Sequence, residues 1–427
     1  MNYFESEYYF YQKDELYCEQ VPLRSIAETA GTPVFVYSKK YFVEQYKKIR
    51  DAFISVDHKI FFSAKSNYNI NVINIFNSLG ASVDVNSEGE LFRALKAGVK
   101  SANIIFSGVG KTEEEIINAI QSGVYSIKVE SEEELIIINN AAQKLGRIVN
   151  VTLRVNPDVD AETHPYISTG LSENKFGLEN SAVIQLIKNK SAFKNISISG
   201  LAMHIGSQIL SIEPYKEAVE KLADLFLYLE SQRIELKHFN IGGGMGVRYH
   251  DEEPLNMIEL AEAITPTLKK LNCEIYFEPG RFLTANSGCL VTKLLYNKIN
   301  GEKKFFIVDA GMNDLIRPSL YGSYHHIQPL KKSAGRKNTV VDVVGPVCES
   351  GDFFAHDRTL TEMKSGEYLA VMSAGAYCMT MSSNYNARRR PPEVIVDGDK
   401  YFITRGRESF EYLLHDEKIF PELSEKP

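Results

Sequence analysis

The stretch KIFFSAKSN, residues 59–67, decides how the rest of the chain is interpreted. Its apolar run, Ile60 to Phe62, is too short for a helix and is typical of a buried parallel strand. Lys65 follows this run and therefore lies at the carboxyl end of the strand, where parallel barrels place their ligand sites. Burial lowers the pKa of a lysine and makes it nucleophilic, so we interpret Lys65 as a Schiff-base lysine. The alternative is a surface lysine just past a strand end.

The same pattern, a short strand followed by an amphipathic helix, recurs along the chain. Strands are predicted at 59–65, 81–87, 103–108, 126–131, 149–157, 197–208, 238–244 and 273–281. Helices are predicted at 41–53, 111–122, 132–144 and 213–230. Ser87 and Thr112 are each followed by glutamates, which is a signature of a helix start. Eight such units predict a closed (β/α)8 TIM-like barrel, with an open doubly wound sheet as the alternative.

After residue 285 the helical pattern stops, and strand-like runs separated by turns take its place. These runs lie at 289–299, 303–311, 339–348, 367–375 and 393–406. They predict an all-β domain, either a β-barrel or a sandwich. The predicted fold class is therefore α/β plus all-β. We expect the barrel at residues 36–285 and the β domain at residues 1–35 and 286–427.

Composition argues against several classes of function. The 427 residues carry a net charge of −7, and the basic triplet Arg388 to Arg390 precedes two prolines, so we expect no nucleic-acid partner. The start of the chain has no signal-peptide pattern, and no apolar run reaches about 18 residues, so we expect no membrane segment. Five cysteines without paired spacing favour a reduced, cytoplasmic protein. The nine histidines show no metal-ligand spacing, so we predict no metal site.

Polar residues collect at the carboxyl ends of the predicted strands, which form the functional face of a parallel barrel. They are Lys65, Asp84, Ser87, Ser107, Glu130, Arg154, Asn156, His204, Ser207, Gly242 to Gly244, Glu278 and Arg281. The glycines of GGGMG, 242–246, let backbone N–H groups approach an anion, although glycine at a barrel turn is an equally good explanation. Gly280 and Arg281 would complete a phosphate site after the seventh and eighth strands.

A lysine, an anion site and a carboxylate on one barrel face together indicate pyridoxal phosphate. Lys65 would form the Schiff base. Glu278 would pair with the ring nitrogen and keep it protonated. His204 would stack on the face of the ring, with a hydrogen-bonded core histidine as the alternative.

The chain resembles the fold-type III pyridoxal-phosphate decarboxylases, and within them the diaminopimelate decarboxylases. The motifs that carry this resemblance occur in order through both predicted domains: FFSAKSN, DVNSEGEL, FSGVGKT, LRVNPDVDAETHPYISTGLSENKFG, HIGSQ, NIGGGMG, EPGR, VDAGMNDLIRPSLY, GPVCESGDFFA and SAGAYCMTMSSNYNARRRP. Phe62, Ser66 and Glu88 depart from the usual Tyr, Ala and Gly without removing a reactive group. The resemblance implies the cofactor pyridoxal 5′-phosphate and the decarboxylation of meso-2,6-diaminopimelate to L-lysine and CO2, the last step of lysine biosynthesis.

The resemblance also implies roles for single residues. Cofactor contacts are implied for Lys65, Asp84, His204, Ser207, Gly243, Gly244, Glu278, Gly280, Arg281 and Tyr377. Substrate contacts are implied for Arg281, Arg317, Tyr321, Glu349 and Tyr377. Catalytic roles are implied for Lys65, His204 and Cys348. Cys348 and Glu349 reach the site from the partner subunit in this family, which implies a homodimer with shared active sites. Cys348 would donate a proton to the carbon that loses CO2, with a small buried thiol as the alternative.

Three alternatives concern function. Decarboxylases of the same fold act on ornithine, lysine, arginine or carboxynorspermidine, but Arg317 and Glu349 together favour a substrate with a distal amino-acid group. A non-catalytic homologue that binds pyridoxal phosphate is the second alternative, and the intact Lys65, Cys348 and Glu278 argue against it. An amino-acid racemase uses a similar barrel, but the segments CESGD and RPSLY do not suit that interpretation.

Overall fold

The computed structural model describes residues 6–161, 170 and 174–420, so part of the motif at 153–177 lies outside the described residues. The strands are β1 (Tyr9–Gln12), β2 (Glu15–Cys18), β3 (Val21–Pro22), β4 (Val34–Ser38), β5 (His58–Ser63), β6 (Ser82–Val85), β7 (Ile104–Phe106), β8 (Ser126–Val129), β9 (Val149–Arg154), β10 (Ile196–Ala202), β11 (His238–Asn240), β12 (Glu274–Phe277), β13 (Gly288–Asn300), β14 (Lys303–Val308), β15 (Ile327–Pro329), β16 (Asn338–Val344), β17 (Phe353–Thr361), β18 (Tyr368–Val371), β19 (Glu393–Asp397) and β20 (Lys400–Arg405). The helices are α1 (Leu23–Ala30), α2 (Lys39–Ala52), α3 (Ile70–Ser78), α4 (Glu88–Lys96), α5 (Glu113–Ser122), α6 (Glu132–Lys144), α7 (Asn180–Lys188), α8 (Glu213–Ser231), α9 (Met257–Leu268), α10 (Arg281–Thr284), α11 (Arg317–Tyr321) and α12 (Phe410–Leu413).

The chain divides into two compact units. The barrel unit comprises Lys39–Ser287 and Gly375–Thr380. The β unit comprises Met1–Ser38, Gly288–Ala374 and Met381–Pro427. The boundaries expected from the sequence differ in one respect that matters for the site, because they assigned the segment Gly375–Thr380, with Tyr377, to the β domain.

The predicted eight-stranded barrel is confirmed, and the open doubly wound sheet is wrong. Strands β5 to β12 pair in chain order, all parallel, and β12 pairs with β5 to close the ring. The strands are buried along most of their length because helices cover their outer faces and side chains fill the interior. The carboxyl ends of all eight strands therefore open at one end of the barrel.

Capping side chains explain where the barrel helices begin. Ser87 accepts a hydrogen bond from the backbone N–H of Glu90 at the start of α4. Thr112 and Glu115 form a reciprocal capping box at the start of α5. The helix predicted at 132–144 is α6, Glu132–Lys144, with Ser131 as its N-cap. These caps satisfy backbone donors that have no partner within the helix.

The β unit is built on a nine-stranded sheet, as the all-β prediction requires. Its main path runs β17-β16-β14-β13-β4-β19-β20, and β18 pairs with β13 and β15. Strand β4 lies between β13 and β19, so the early segment Val34–Ser38 forms an inner strand of this sheet. All five residues of β4 are buried. A separate three-stranded sheet contains β1, β2 and β3.

The described ranges contain neither a helix that could cross a membrane nor a cluster of metal-binding side chains. No helix there combines the length and the apolarity that a membrane crossing requires. In those same ranges, no group of three or more His, Cys, Asp or Glu side chains is placed to hold a metal ion.

Candidate active site

Lys65 lies in the short turn Ala64–Ser66 that follows β5 and is partly buried. Burial acts to lower the pKa of its ammonium, but the nearby Tyr377 and Asp84 outweigh burial and raise this pKa above its ordinary value. The expectation that burial lowers the pKa of Lys65 is therefore wrong for the chain alone. The neighbouring oxygen atoms of Asp84 and Tyr377 favour the ammonium form of Lys65, so the amine has to lose a proton before it reacts with a carbonyl group.

Asp84 is held at the end of β6 by two hydroxyl groups. Ser63 donates to its Oδ2 at 2.9 Å, and Ser107 donates to its Oδ1 at 2.5 Å. All three residues are buried. The carboxylate is thus fixed by its neighbours on β5 and beyond β7, and it contributes to the field that acts on Lys65.

His204 follows β10 and is neutral. Burial and the positive charges of Lys65 and Arg154 lower its pKa well below the usual value. Its Nδ1 accepts a hydrogen bond of 3.2 Å from the backbone N–H of Gly243. The residue is partly exposed, which fits an imidazole at a ligand site better than a core histidine.

The glycine turn after β11 is packed against other backbone segments. A Cβ atom at Gly243 would collide with the carbonyl oxygen of Glu278, and one at Gly244 would collide with that of Gly206. Gly244 also has φ +101°, a conformation that L side chains rarely adopt. Tight packing at the barrel rim therefore accounts for these two glycines without any ligand.

Arg281 is the centre of a polar group beside this turn. Its Nε and Nη2 donate to the hydroxyl oxygen of Ser207 at 3.3 and 3.0 Å, and its Nη1 donates to the Tyr249 hydroxyl at 2.7 Å. The guanidinium lies 4.9 Å from the centre of the Tyr377 ring. The backbone N–H of Tyr377 donates to the carbonyl of Ser66 at 2.9 Å, which ties the segment Gly375–Thr380 to the turn that carries Lys65.

Arg154 and Glu130 form a buried ion pair that the sequence did not reveal as a pair. Arg154 Nη1 donates to Glu130 Oε1 at 2.8 Å, and Glu130 Oε2 accepts from the backbone N–H of Gly177 at 3.0 Å. Arg154 Nη2 is buried and has no hydrogen-bond partner within the described ranges. A buried donor without an acceptor is costly, so this atom indicates a place for an acceptor that the described residues do not supply.

Glu278 follows β12 and has two partners that sequence reasoning missed. Lys128 Nζ lies 2.5 and 2.6 Å from its two carboxylate oxygens, and Asn240 Nδ2 donates to Oε1 at 2.7 Å. Lys128 lies inside the short strand β8, all four residues of which are buried. A lysine within such a strand was the available signal.

Two of the expected substrate residues lie in α11 of the β unit. Arg317 is buried, and its guanidinium lies 5.6 Å from the centre of the Tyr321 ring. Arg317 Nη2 donates to the Ser323 hydroxyl at 3.3 Å. These contacts hold the guanidinium against the tyrosine within this unit.

Cys348 and Glu349 lie on an exposed loop of the β unit. Asp352 supports the loop from beneath, because its carboxylate accepts from the backbone N–H groups of Val347 and Met312, each at 2.6 Å. Glu349 raises the pKa of the Tyr385 phenol by accepting its hydrogen bond. Since Cys348 is exposed, the alternative of a small buried thiol is wrong.

Comparison with known proteins identifies the family. Residues 39–285 match the pyridoxal-binding domain of the pyridoxal-dependent decarboxylases. The chain belongs to this family of decarboxylases. It is 44% identical to the diaminopimelate decarboxylase of Aquifex aeolicus, over 95% of this chain and 96% of that protein. The Haemophilus influenzae diaminopimelate decarboxylase is also 44% identical, with 97% and 98% of the two chains covered.

A solved structure of a pyridoxal-dependent decarboxylase has the same fold. The diaminopimelate decarboxylase of Helicobacter pylori, solved in complex with L-lysine, superposes with a TM-score of 0.89 at 39% identity. The superposition covers 92% of this chain and 98% of that chain. The likeness therefore extends through both the barrel and the β unit.

Pyridoxal phosphate is the cofactor of this decarboxylase family, and the barrel residues fit it. The buried Arg154 Nη2 needs an acceptor oxygen, which the cofactor carries. Ser207 accepts from Arg281, so its own O–H remains available to donate to an anion beside a guanidinium. Lys65 provides an amine, and the carboxylate of Glu278 provides an acceptor for a protonated ring nitrogen.

Proposed function

We propose that the protein decarboxylates meso-2,6-diaminopimelate to L-lysine and CO2. One observation carries this proposal: Lys65, His204, Glu278 and Arg281 gather at one end of a barrel in a chain that is similar over its whole length to enzymes named for this reaction. The relative solved with L-lysine supports the product, because that protein binds the molecule that the proposed reaction releases.

The barrel residues would bind and orient the cofactor. Lys65 would hold it covalently through its amine, and Arg281 with Ser207, Gly243, Gly244 and Gly280 would hold the phosphate. The charge of Asp84 would hold the nitrogen end of the Lys65 side chain in place. Arg154, to which the sequence assigned no role, would donate its Nη2, which has no acceptor among the described residues, to an oxygen of the cofactor.

When bound, pyridoxal phosphate supplies a ring that accepts the electron pair left behind when CO2 departs. Glu278 would keep the ring nitrogen protonated and so increase this capacity. His204, being neutral, would pack on the ring without adding a positive charge.

The substrate has two amino-acid ends, and the protein must bind one while the other reacts. Arg281 and Arg317, with Tyr321 and Tyr377, would bind carboxylate, because a guanidinium offers a rigid fork of donors. Glu349 would bind the distal ammonium. Cys348 would donate a proton to the carbon that loses CO2, and its exposure is compatible with access to a site in another subunit.

We infer that the active enzyme is a homodimer with shared active sites. The exposed Cys348 and Glu349 support this, since reactive side chains on a supported outer loop can serve a neighbouring subunit. Inactive Lys65→Ala and Cys348→Ala proteins, mixed under conditions that exchange subunits, should recover up to about a quarter of the wild-type activity. No recovery of activity, despite subunit exchange shown by mass spectrometry, would contradict shared sites.

The five free cysteines also support the predicted cytoplasmic location.

The substrate assignment is tested with a panel of amino acids. Purified protein loaded with pyridoxal phosphate is incubated with meso-diaminopimelate, ornithine, lysine, arginine or carboxynorspermidine, and CO2 and amine products are quantified. The proposal predicts L-lysine from meso-diaminopimelate and much slower reaction with the other four. A bound cofactor with faster turnover of another substrate would assign the chain to a related decarboxylase. No turnover of any substrate would favour the non-catalytic alternative.

A further inference from the structure

Lys128 is a buried lysine that the proposed reaction does not use. It lies on β8, and Glu278 follows β12 on the opposite side of the eight-stranded ring. Its Nζ lies 2.5 Å from Glu278 Oε1 and 2.6 Å from Glu278 Oε2. The two side chains are 4% and 6% exposed, so water screens this ion pair very little.

Glu278 has limited capacity for a further donor. A carboxylate has about four lone-pair positions. Lys128 approaches both oxygens, and Asn240 Nδ2 donates to Oε1 at 2.7 Å. Asn240 is itself fixed, because its Oδ1 accepts from the backbone N–H of Gly242 at 2.8 Å. Oε2, which has the single donor Lys128 in the described ranges, is therefore the oxygen with room for a ring nitrogen.

The charges lead to competition for the carboxylate. Over the described residues, Lys128 and Glu278 form a salt bridge only with each other. A buried pair of this kind is nearly neutral as a unit, whereas either charge alone would be costly in the barrel. Lys128 thus stabilises the ionised Glu278 before any cofactor binds. A protonated ring nitrogen then has to share an anion that already has a cation beside it.

We propose that Lys128 is a positioning residue that holds the Glu278 carboxylate and reduces the negative charge that it presents to the ring nitrogen of the cofactor. Lys128 acts through Glu278 and is not a catalytic residue. The inference rests on the proposed function, in which Glu278 is the partner of the ring nitrogen. The wild-type barrel should therefore favour nitrogen over carbon at this ring position less strongly than a barrel in which Glu278 has no lysine partner.

The preference for nitrogen is measured with two molecules on the full-length apoprotein. These are pyridoxal 5′-phosphate and 1-deazapyridoxal 5′-phosphate, in which carbon replaces the ring nitrogen. The preference is the dissociation constant of the deaza compound divided by that of pyridoxal phosphate, so a higher ratio means a stronger preference for nitrogen. In the wild type, Lys128 satisfies Glu278 with either molecule bound. In Lys128→Met only the nitrogen-containing molecule can pair with Glu278, so the ratio should rise in favour of pyridoxal phosphate by about tenfold or more.

Lys128→Gln is the second variant, because it keeps a donor of similar length but removes the charge. It should raise the ratio in the same direction, and it keeps the test decisive if Lys128→Met does not fold. An unchanged ratio in the folded variants overturns the inference, even if their thermal stability falls, because a purely structural lysine would change stability alone.

Glu278→Gln separates this inference from the proposed function. If Glu278→Gln lowers the wild-type ratio while the Lys128 variants leave it unchanged, only the role of Lys128 fails. If Glu278→Gln leaves the ratio unchanged, Glu278 is not the partner of the ring nitrogen, and the proposed site fails with it.

Discussion

The backbone N–H of Gly243 donates a hydrogen bond to Nδ1 of His204 at 3.2 Å, which places the proton of the neutral imidazole on Nε2. The two residues follow neighbouring barrel strands, β10 and β11. The glycine turn that packs against Glu278 thus also sets the tautomer of the histidine proposed to stack on the cofactor.

If His204 acts as a neutral stacking group, an aromatic replacement should retain most of its effect. His204→Ala should weaken pyridoxal-phosphate binding by up to about tenfold, the usual worth of one stacked ring pair. His204→Phe should restore most of this loss. Fluorescence titration of the apoprotein measures both constants. Equal weakening in the two variants would show that stacking is not the role of this residue.

Gly243 should not tolerate a methyl group. Gly243→Ala would push the added Cβ against the Glu278 carbonyl, so we expect a loss of several kcal/mol of stability, or loss of cofactor binding as the turn shifts. Gly110→Ala is the matched control, since an added Cβ there meets nothing within 4 Å. Its stability should change by less than about 0.5 kcal/mol. Thermal unfolding of the apoprotein measures the loss of stability, and the increase in midpoint on adding the cofactor measures its binding. Midpoints of Gly243→Ala that equal those of Gly110→Ala in both forms would contradict the packing argument.

Arg154 should contribute to the affinity for pyridoxal phosphate through Nη2, the nitrogen that does not contact Glu130. Arg154→Lys keeps a positive charge near Glu130 but removes the fork that presents Nη2. Loss of one charge-assisted hydrogen bond, about 1.5 to 3 kcal/mol, predicts weaker pyridoxal-phosphate binding by a factor of about 10 to 150. Arg50→Lys on the exposed face of α2 serves as the control. Wild-type affinity in Arg154→Lys would show that Nη2 does not meet the cofactor.

His238 should make the barrel sensitive to acid. Burial, followed by the charges of Lys128 and Lys59, lowers the pKa of His238 from 6.5 to about 3. Between these values the unfolded chain binds the proton more readily than the folded one, so the contribution of His238 to the free energy of unfolding is fully present above pH 6.5 and is lost as the pH falls. Each pH unit in this window costs up to about 1.4 kcal/mol.

The thermal midpoint of the apoprotein measures this effect at pH 7 and pH 5. His238→Gln should show a smaller drop between the two pH values than the wild type. The exposed His415→Gln should behave as the wild type does. A drop in His238→Gln as large as that in the wild type would assign the acid sensitivity to other groups.

Local sequence signals predicted the barrel well because each strand and helix carries its own pattern. The N-cap Ser131 and the glutamates after it define the start of α6, and the predicted range 132–144 matches the observed helix. The alternation of strands and helices then required a parallel arrangement. Strand pairing over long distances was not predictable in the same way, as the inner position of β4 in the sheet of the β unit demonstrates.

The partners of the site residues were harder to predict, because they come from distant parts of the chain. Lys128 and Glu278 are 150 residues apart, and only barrel closure brings them together. The pKa of Lys65 was predicted in the wrong direction, since the position of Tyr377 cannot be read from the sequence around the lysine. Periodicity identifies the strand on which a residue lies but not the charge that it faces across the barrel.

The central claim, that Lys65 carries the cofactor of a diaminopimelate decarboxylase, is tested most directly by borohydride reduction of the holoprotein followed by peptide mass spectrometry. Reduction fixes the cofactor to the lysine that holds it. We expect the added mass on Lys65, none on Lys128, and no lysine formation from meso-diaminopimelate by Lys65→Arg. Cofactor attached to another lysine, with decarboxylation retained in Lys65→Arg, would contradict it.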